Sequence, residues 1–401
     1  MTVPVGDAIT LALAVAAIAL GMLINRAVPL FGRLFIPPAV SGGLTVAIVL
    51  ELLRRTYGYD VSFASDLRNL LLLVFFASLG LSARFRLLRS GGWAVGLICL
   101  MIVVTIVLQN VIGIAVASAF GIPNALGLFF GSIAYLGGHG SVAAWAQSAE
   151  AANLGPAFEI GIASATLGLI AGGLVGGPVA SFLDRRPARE RTAPDKPALT
   201  PPAGSDGQIL APESTDRWLL SLLMIAACLV GGELLGRAAT AVGFPLPAFL
   251  TALLAAVMLT NAADLIGHPP DLPRTDLVGT LALRIFLAMS MLGLAFGTLG
   301  TYLWPLLLAL AAQTAVTALV AMLLVYRVPG GGHEGAVAAG GFIGFALGAM
   351  PVGIATMKRV VERSGPAPRA YVVVTLAAAL FQDSANAILV RIFFWLVGAP
   401  S

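Results

Sequence analysis

Long apolar runs recur along the chain at intervals that a bilayer would set. Stretches at 8–25, 37–53, 69–83, 93–120 and 157–182, then 218–236, 247–263, 280–300, 304–326 and 371–397, carry few charges. About 20 apolar helical residues cross roughly 30 Å of hydrocarbon, so each stretch is predicted to be a membrane helix. A membrane barrel would instead show segments of about 10 alternating residues, a pattern the chain lacks. The fold class is all-α and polytopic.

Between the fourth and fifth spans of each half lies a hydrophobic segment interrupted by glycine, at 123–150 and 334–357. The first holds Gly131-Ser-Ile-Ala-Tyr-Leu-Gly-Gly-His-Gly140 and the second Gly340-Gly-Phe-Ile-Gly-Phe-Ala-Leu-Gly-Ala-Met-Pro351. Broken backbone at membrane depth survives only when buried in protein or lining a cavity. A matched pair of such breaks in two related halves points to the binding site of a secondary transporter. Either break is long enough to be a re-entrant hairpin or a broken crossing helix.

The halves resemble each other weakly but in order. Ile36-Pro-Pro-Ala39 answers Pro245-Leu-Pro-Ala248, and Ser78-Leu-Gly-Leu81 answers Met291-Leu-Gly-Leu294. Gln109 answers Gln313, and Gly131, Ile133 and Gly138 match Gly341, Ile343 and Gly348 at one constant offset. The domains are therefore a first membrane repeat at 1–183, a linker at 184–217 and a second repeat at 218–401. Five spans on either side of the linker make the second repeat inverted. Pro187, Pro194, Pro197, Pro201, Pro202 and Pro212, with interspersed charges, mark the linker as solvated chain.

Composition agrees with this reading: 59% of residues are hydrophobic and 10% charged, against about 25% charged in soluble domains. Most Lys and Arg fall in the loops on the linker's side, among them Arg26, Arg84, Arg86, Arg185, Lys358 and Arg359. Arg54, Arg55, Arg68 and Arg237 fall on the other side. The positive-inside rule then places the linker in the cytoplasm and both termini in the periplasm of a bacterial inner membrane. It also accounts for the net charge of +4 without a nucleic-acid partner. The N-terminus lacks the basic leader of a signal peptide, and Cys99 and Cys228 lie in apolar runs that imply no disulfide framework.

The candidate chemistry gathers at the breaks. Glycine lets backbone approach a ligand closely, and the start of a half-helix near Ser141 favours a carboxylate. Ser132, Gly137, Gly138, His139, Gly140 and Ser141, with Gly344, Gly348, Ala349 and Met350, are the candidate substrate contacts. Asp383, mid-span in Gln-Asp-Ser-Ala-Asn386, joins them, because a membrane-depth carboxylate is costly and by default functional. Asp383 and Asn386 share a helical face and offer hard oxygen ligands for Na⁺. Gln109, Asn110, Ser164 and Thr166 are the other candidate sodium ligands. No Cys or second His stands near His139 at ligand spacing, so no transition metal and no covalent cofactor are expected. Arg284 and Arg391 are expected to snorkel to the membrane interfaces.

With these residues in view, the chain resembles the bacterial sodium/glutamate symporters of the glutamate:sodium symporter family. The likeness runs from Ile36-Pro-Pro-Ala-Val-Ser-Gly-Gly43 through Asn386. Its most specific parts are Gly131-Ser-Ile, Gly137-Gly-His-Gly140 with Ala143-Ala-Trp145, Gly168-Leu-Ile-Ala-Gly-Gly173 with Gly176-Gly-Pro178, and Asp383 with Asn386. Leu136, Met350 and Val352 stand where the family pattern usually carries hydroxyl residues. The resemblance implies Na⁺-coupled uptake of glutamate, an anionic amino acid, by a homodimer of two inverted five-span halves. It also implies an elevator-like movement of a transport domain against a dimeric scaffold. The alternatives are a sodium- or proton-coupled carrier of another organic anion, with Asp383 or His139 as proton site, and an intramembrane enzyme built on Ser132, Ser141 and His139. The absence of a Gly-x-Ser-x-Gly elbow disfavours the enzyme.

Overall fold

The computed structural model describes residues 2–33, 36–57, 60–63, 65–90, 92–152, 154–184, 215–267, 271–294 and 300–398. The predicted linker falls almost wholly outside the described residues.

The first half contributes α1 (Asp7–Ala27), the short α2 (Pro29–Arg33), α3 (Pro38–Tyr57), α4 (Asp66–Ser82), the short α5 (Phe85–Ser90), α6 (Gly92–Ala119), α7 (Asn124–Gly127), α8 (Gly138–Ala151) and α9 (Ala157–Leu183). The second contributes α10 (Thr215–Ala241), α11 (Ala248–Leu265), α12 (Leu272–Leu292), α13 (Leu303–Leu323), α14 (Gly332–Leu347), α15 (Met350–Ser364), α16 (Pro368–Ala377) and α17 (Asp383–Leu396). A π-helical turn, Ala378–Gln382, joins the last two. The one sheet among the described residues is a short parallel pair, β1 (Thr2–Val5) with β2 (Asp60–Phe63).

Each predicted span overlaps helix, though residues 295–299 of the span predicted at 280–300 lie outside the described residues. Eight helical stretches are long and apolar enough to cross a membrane among the described residues. Two spans fall short of that measure. α4 has 17 residues, and α3 ends on Glu51, Arg54 and Arg55, tied in ion pairs of 2.8 and 2.7 Å.

The expectation of a span over 280–300 is corrected, because the helix runs over Leu272–Leu292. Its early charges, which read as loop, are partnered within protein. Arg274 pairs with Asp271 and lies 5.9 Å from the Trp218 ring centre, and Asp276 accepts the Ser82 hydroxyl at 2.8 Å. His333 sits in the first turn of α14. There it is 3% exposed, with Nδ1 2.9 Å from an Asp184 carboxylate oxygen and Nε2 2.9 Å from the Gly365 carbonyl. This clasp ties the end of α9 to the start of α14 and the end of α15.

Packing sorts the helices into two groups, each drawn from both halves of the chain. α1, α3, α4, α10, α11 and α12 pack chiefly on one another. The other group is α6, α8, α9 and α13–α17, in which α14 lies most extensively along α9. Where the groups meet, the contact is largely apolar and aromatic. Trp145 on α8 meets Phe249 on α11 edge-on at 5.0 Å and stacks on Phe394 of α17 at 5.0 Å. Gly140 faces Phe75 of α4 and Leu283 of α12, and a methyl added there would lie 3.1 and 3.3 Å from them.

Candidate functional site

Both glycine-rich segments are broken as their composition predicts. In the first, α7 runs into a 3-10 turn, Leu128–Phe130, and then into irregular turns before α8 begins. Gly138 opens α8 with φ of +66°, a conformation that side chains with a Cβ rarely adopt. In the second, α14 stops at Leu347 and Ala349 is fully extended, with φ −169° and ψ 162°. α15 restarts at Met350, with Pro351 in its first turn, where a missing N–H costs nothing.

The two breaks meet. A methyl group on Gly138 would lie 3.5 Å from the Gly348 carbonyl oxygen. The starts of α8 and α15 and the end of α14 therefore converge on one place. Helix starts present free amides and partial positive charge, and helix ends present free carbonyls.

Amide side chains from distant helices hold the broken backbone in shape. Asn110 Oδ1 accepts from both Ser132 N, at 3.0 Å, and Ser132 Oγ, at 2.9 Å. Gln313 Nε2 donates to Phe130 O at 2.9 Å, Gln382 Nε2 to Leu136 O at 2.7 Å, and Asn386 Nδ2 to Ser132 O at 3.3 Å. On the second break Gln109 Nε2 donates to Ala346 O at 2.9 Å. Except at Ser132 O, which Gly137 N also reaches at 2.8 Å, the carbonyls so held have no other hydrogen bond among the described residues to stand in for the helix ladder. Replacing Gln382 with leucine should leave the Leu136 carbonyl buried and unpaired, lowering stability by about 1–3 kcal/mol. A melting curve of the purified variant checks this.

His139 is buried, with Nε2 3.1 Å from Thr166 Oγ1. The Thr166 hydroxyl gives its proton to Ile162 O at 2.8 Å, so the ring nitrogen is the donor in the pair. Ser141 is buried near Gly137, whose neighbours also include Asn386 Nδ2. Gly344 lies inside α14, a turn before the break, where a methyl would meet the Gly353 backbone at 2.7 Å. Met350 is partly buried, while Leu136 and Val352 are fully buried.

Several buried oxygens have no donor. They are Gln109 Oε1, Gln313 Oε1, Gln382 Oε1, Asn386 Oδ1 and the hydroxyls of Tyr135, Ser164 and Thr356, on residues at most 5% exposed. Asn110 Nδ2 is a buried donor left without an acceptor. Asp383, partly buried directly after the π-helical turn, forms no hydrogen bond or ion pair among the described residues. An unmatched buried acceptor costs about 1–3 kcal/mol, and an unmatched charge costs more. Gln382 Oε1 and Asn386 Oδ1 flank Asp383 along the chain, and oxygen ligands of this type suit a hard cation. Sequence reasoning left Gln382 unassigned, although it adjoins Asp383. The π-helical turn that positions it has no sequence signature.

One family profile, described as sodium/glutamate symporter, matches residues 4–366. The chain belongs to the sodium/glutamate symporter family. The sodium/glutamate symporter of Escherichia coli (strain K12) is 36% identical over 96% of this chain and 97% of its own length. That of Haemophilus influenzae (strain ATCC 51907 / DSM 11121 / KW20 / Rd) is 35% identical over 97% of both chains. Among solved structures, the sodium proton antiporter MjNhaP1 from Methanocaldococcus jannaschii matches over 97% of both chains at 13% identity. Its TM-score of 0.38 carries no argument. Family membership and the long apolar helices make this chain a multi-pass membrane transporter of the symporter class.

Proposed function

We propose that this chain couples the inward movement of Na⁺ to uptake of glutamate across a bacterial inner membrane. The substrate carboxylates would sit where the α8 and α15 starts converge, against Gly137–Ser141 and Gly348–Met350. His139 is placed to hold the first of these segments through Thr166. Na⁺ would take Asp383 and the donorless oxygens around it, Asn386 Oδ1 first. Asn110 spends its oxygen on Ser132, so its part in the ion site is to shape the break rather than to ligate.

The observation that carries this reading is the junction of two helix breaks beside buried oxygens that lack donors. Unmatched oxygens of that kind cost stability, which a bound cation would offset. Glutamate carries one net negative charge, so one Na⁺ would make the cycle electroneutral and a second would make it electrogenic. Each net charge moved gains about 2.3 kcal/mol per 100 mV, which at about 1.4 kcal/mol per decade supports somewhat over tenfold further accumulation.

The two helix groups suggest the mechanism. The group that holds both breaks would move as a unit against the other, in an elevator-like cycle. Support comes from the apolar, glycine-relieved contact between them and from each group drawing on both halves of the chain. The segments about 123–150 and 334–357 are then opposed re-entrant elements of two inverted repeats, 1–183 and 218–401. The linker 184–217 is cytoplasmic, both termini are periplasmic, and the protein works as a homodimer.

Uptake of labelled glutamate into proteoliposomes tests the coupling. Replacing external Na⁺ with choline should abolish accumulation, and undiminished uptake in choline would end the sodium reading. A pH gradient alone should drive nothing, which separates Na⁺ coupling from proton coupling.

A further inference from the structure

Arg391 on α17 is 5% exposed and has no acidic partner among the described residues. It was expected to snorkel to the membrane interface, but protein covers it instead. Its Nη2 donates to the Pro245 carbonyl at 2.7 Å, and its guanidinium lies 5.0 Å from the Phe244 ring centre. Its Nε is buried without any acceptor. Pro245 and Phe244 belong to the turn before α11, which lies in the other helix group. The bond therefore crosses from the group that holds the breaks to the group that does not.

We infer that Arg391 is a positioning residue for transport, a latch that holds the two helix groups in the arrangement seen here and releases when they move. A permanent anchor for a buried arginine would be a carboxylate with every N–H satisfied. Arg274, inside one group, has the carboxylate, Asp271 at the start of its own helix, although its Nε too is buried without an acceptor. Arg391 has one carbonyl, one ring face and an idle N–H, a contact that specifies position yet can be broken. Beside it the groups are not sealed. A cavity of about 350 Å³ is lined by Ala144, Gln147 and Ser148 of α8 on one side and by Asn69 and Pro245–Phe249 on the other. The Pro245-Leu-Pro-Ala248 motif, which mirrors Ile36-Pro-Pro-Ala39, thereby supplies the catch, because proline fixes the turn and leaves its carbonyls free.

This inference rests on the proposed movement of one group against the other, and its test separates the two. Ser148→Cys with Leu246→Cys places one thiol on each wall of the cavity, while native Cys99 and Cys228 are buried. A short bis-maleimide should cross-link the pair in the full-length protein and arrest glutamate uptake. Adding Arg391→Ala should slow cross-linking by roughly tenfold or more, the population change expected from losing one charge-assisted bond. Arg391→Lys should restore most of it. Phe244→Leu, at a partly exposed ring, should give a smaller decrease and guards against misfolding of the arginine variant. Equal cross-linking rates with and without Arg391 would overturn the latch, whereas cross-linked protein that still transports would overturn the movement on which the latch rests. Sodium-driven uptake by the uncross-linked protein would persist either way.

Discussion

Asp383→Asn should remove Na⁺-driven uptake while making the ion-free protein more stable. The two effects have opposite signs because the carboxylate has no partner among the described residues. A buried, uncompensated charge costs several kcal/mol, and asparagine keeps the shape while deleting that cost. Its price is the charge that attracts Na⁺. A cation interaction worth about 3 kcal/mol corresponds to roughly 100-fold in affinity, so uptake at ordinary Na⁺ should fall by about that factor. The check is a pair of melting curves with and without Na⁺. The native protein should gain about 2.7 kcal/mol at 100 times its dissociation constant. The variant should start higher in choline and gain little from Na⁺. A carboxylate that merely stabilised the fold would give a lower melt in both salts, and that outcome would remove Asp383 from the ion site.

Much of this architecture can be read from the residues. Apolar run length finds the spans, and Gly137-Gly-His-Gly and Gly348-Ala-Met-Pro locate both breaks. The failures occur where charge looks like solvent exposure but is met by protein, as at Arg274 and Asp276 in the first turn of α12. The glycines at 330–332, all at positive φ, form the turn that leads directly into α14 and the buried His333. Which amide holds which carbonyl is illegible for a different reason. Gln109 meets Ala346, and Gln382 meets Leu136, pairs set by helix packing across the whole chain. Their residue types mark them as polar groups at membrane depth but cannot say whether they brace backbone or ligate an ion. The division into two helix groups is likewise a property of contacts, and no composition shift announces it.

A single methyl group at Gly168 should do more damage than most larger changes elsewhere. Gly168, Gly172 and Gly176 form one ridge of α9, against which the carbonyls of α14 lie. Methyl groups added there would sit 2.2 Å from Leu347 O, 3.1 Å from Gly344 O and 2.8 Å from Gly340 O. Backbone on both sides leaves nothing flexible to yield, so Gly168→Ala must push the end of α14 away from α9. Overpacking of this kind costs about 1–3 kcal/mol and at times more. The displaced end is the one that leads into Gly348, so the junction with Gly138 opens as well and substrate affinity should fall with stability. Gly177→Ala is the matched control on the same helix, with nothing within 4 Å of the added carbon. It should be neutral or gain up to about 1 kcal/mol of helix propensity. Thermal melts of the two variants, each with and without glutamate and Na⁺, decide the matter. If Gly168→Ala melts and responds to ligand as Gly177→Ala does, α9 and α14 are not in backbone contact and the breaks are held together by something else.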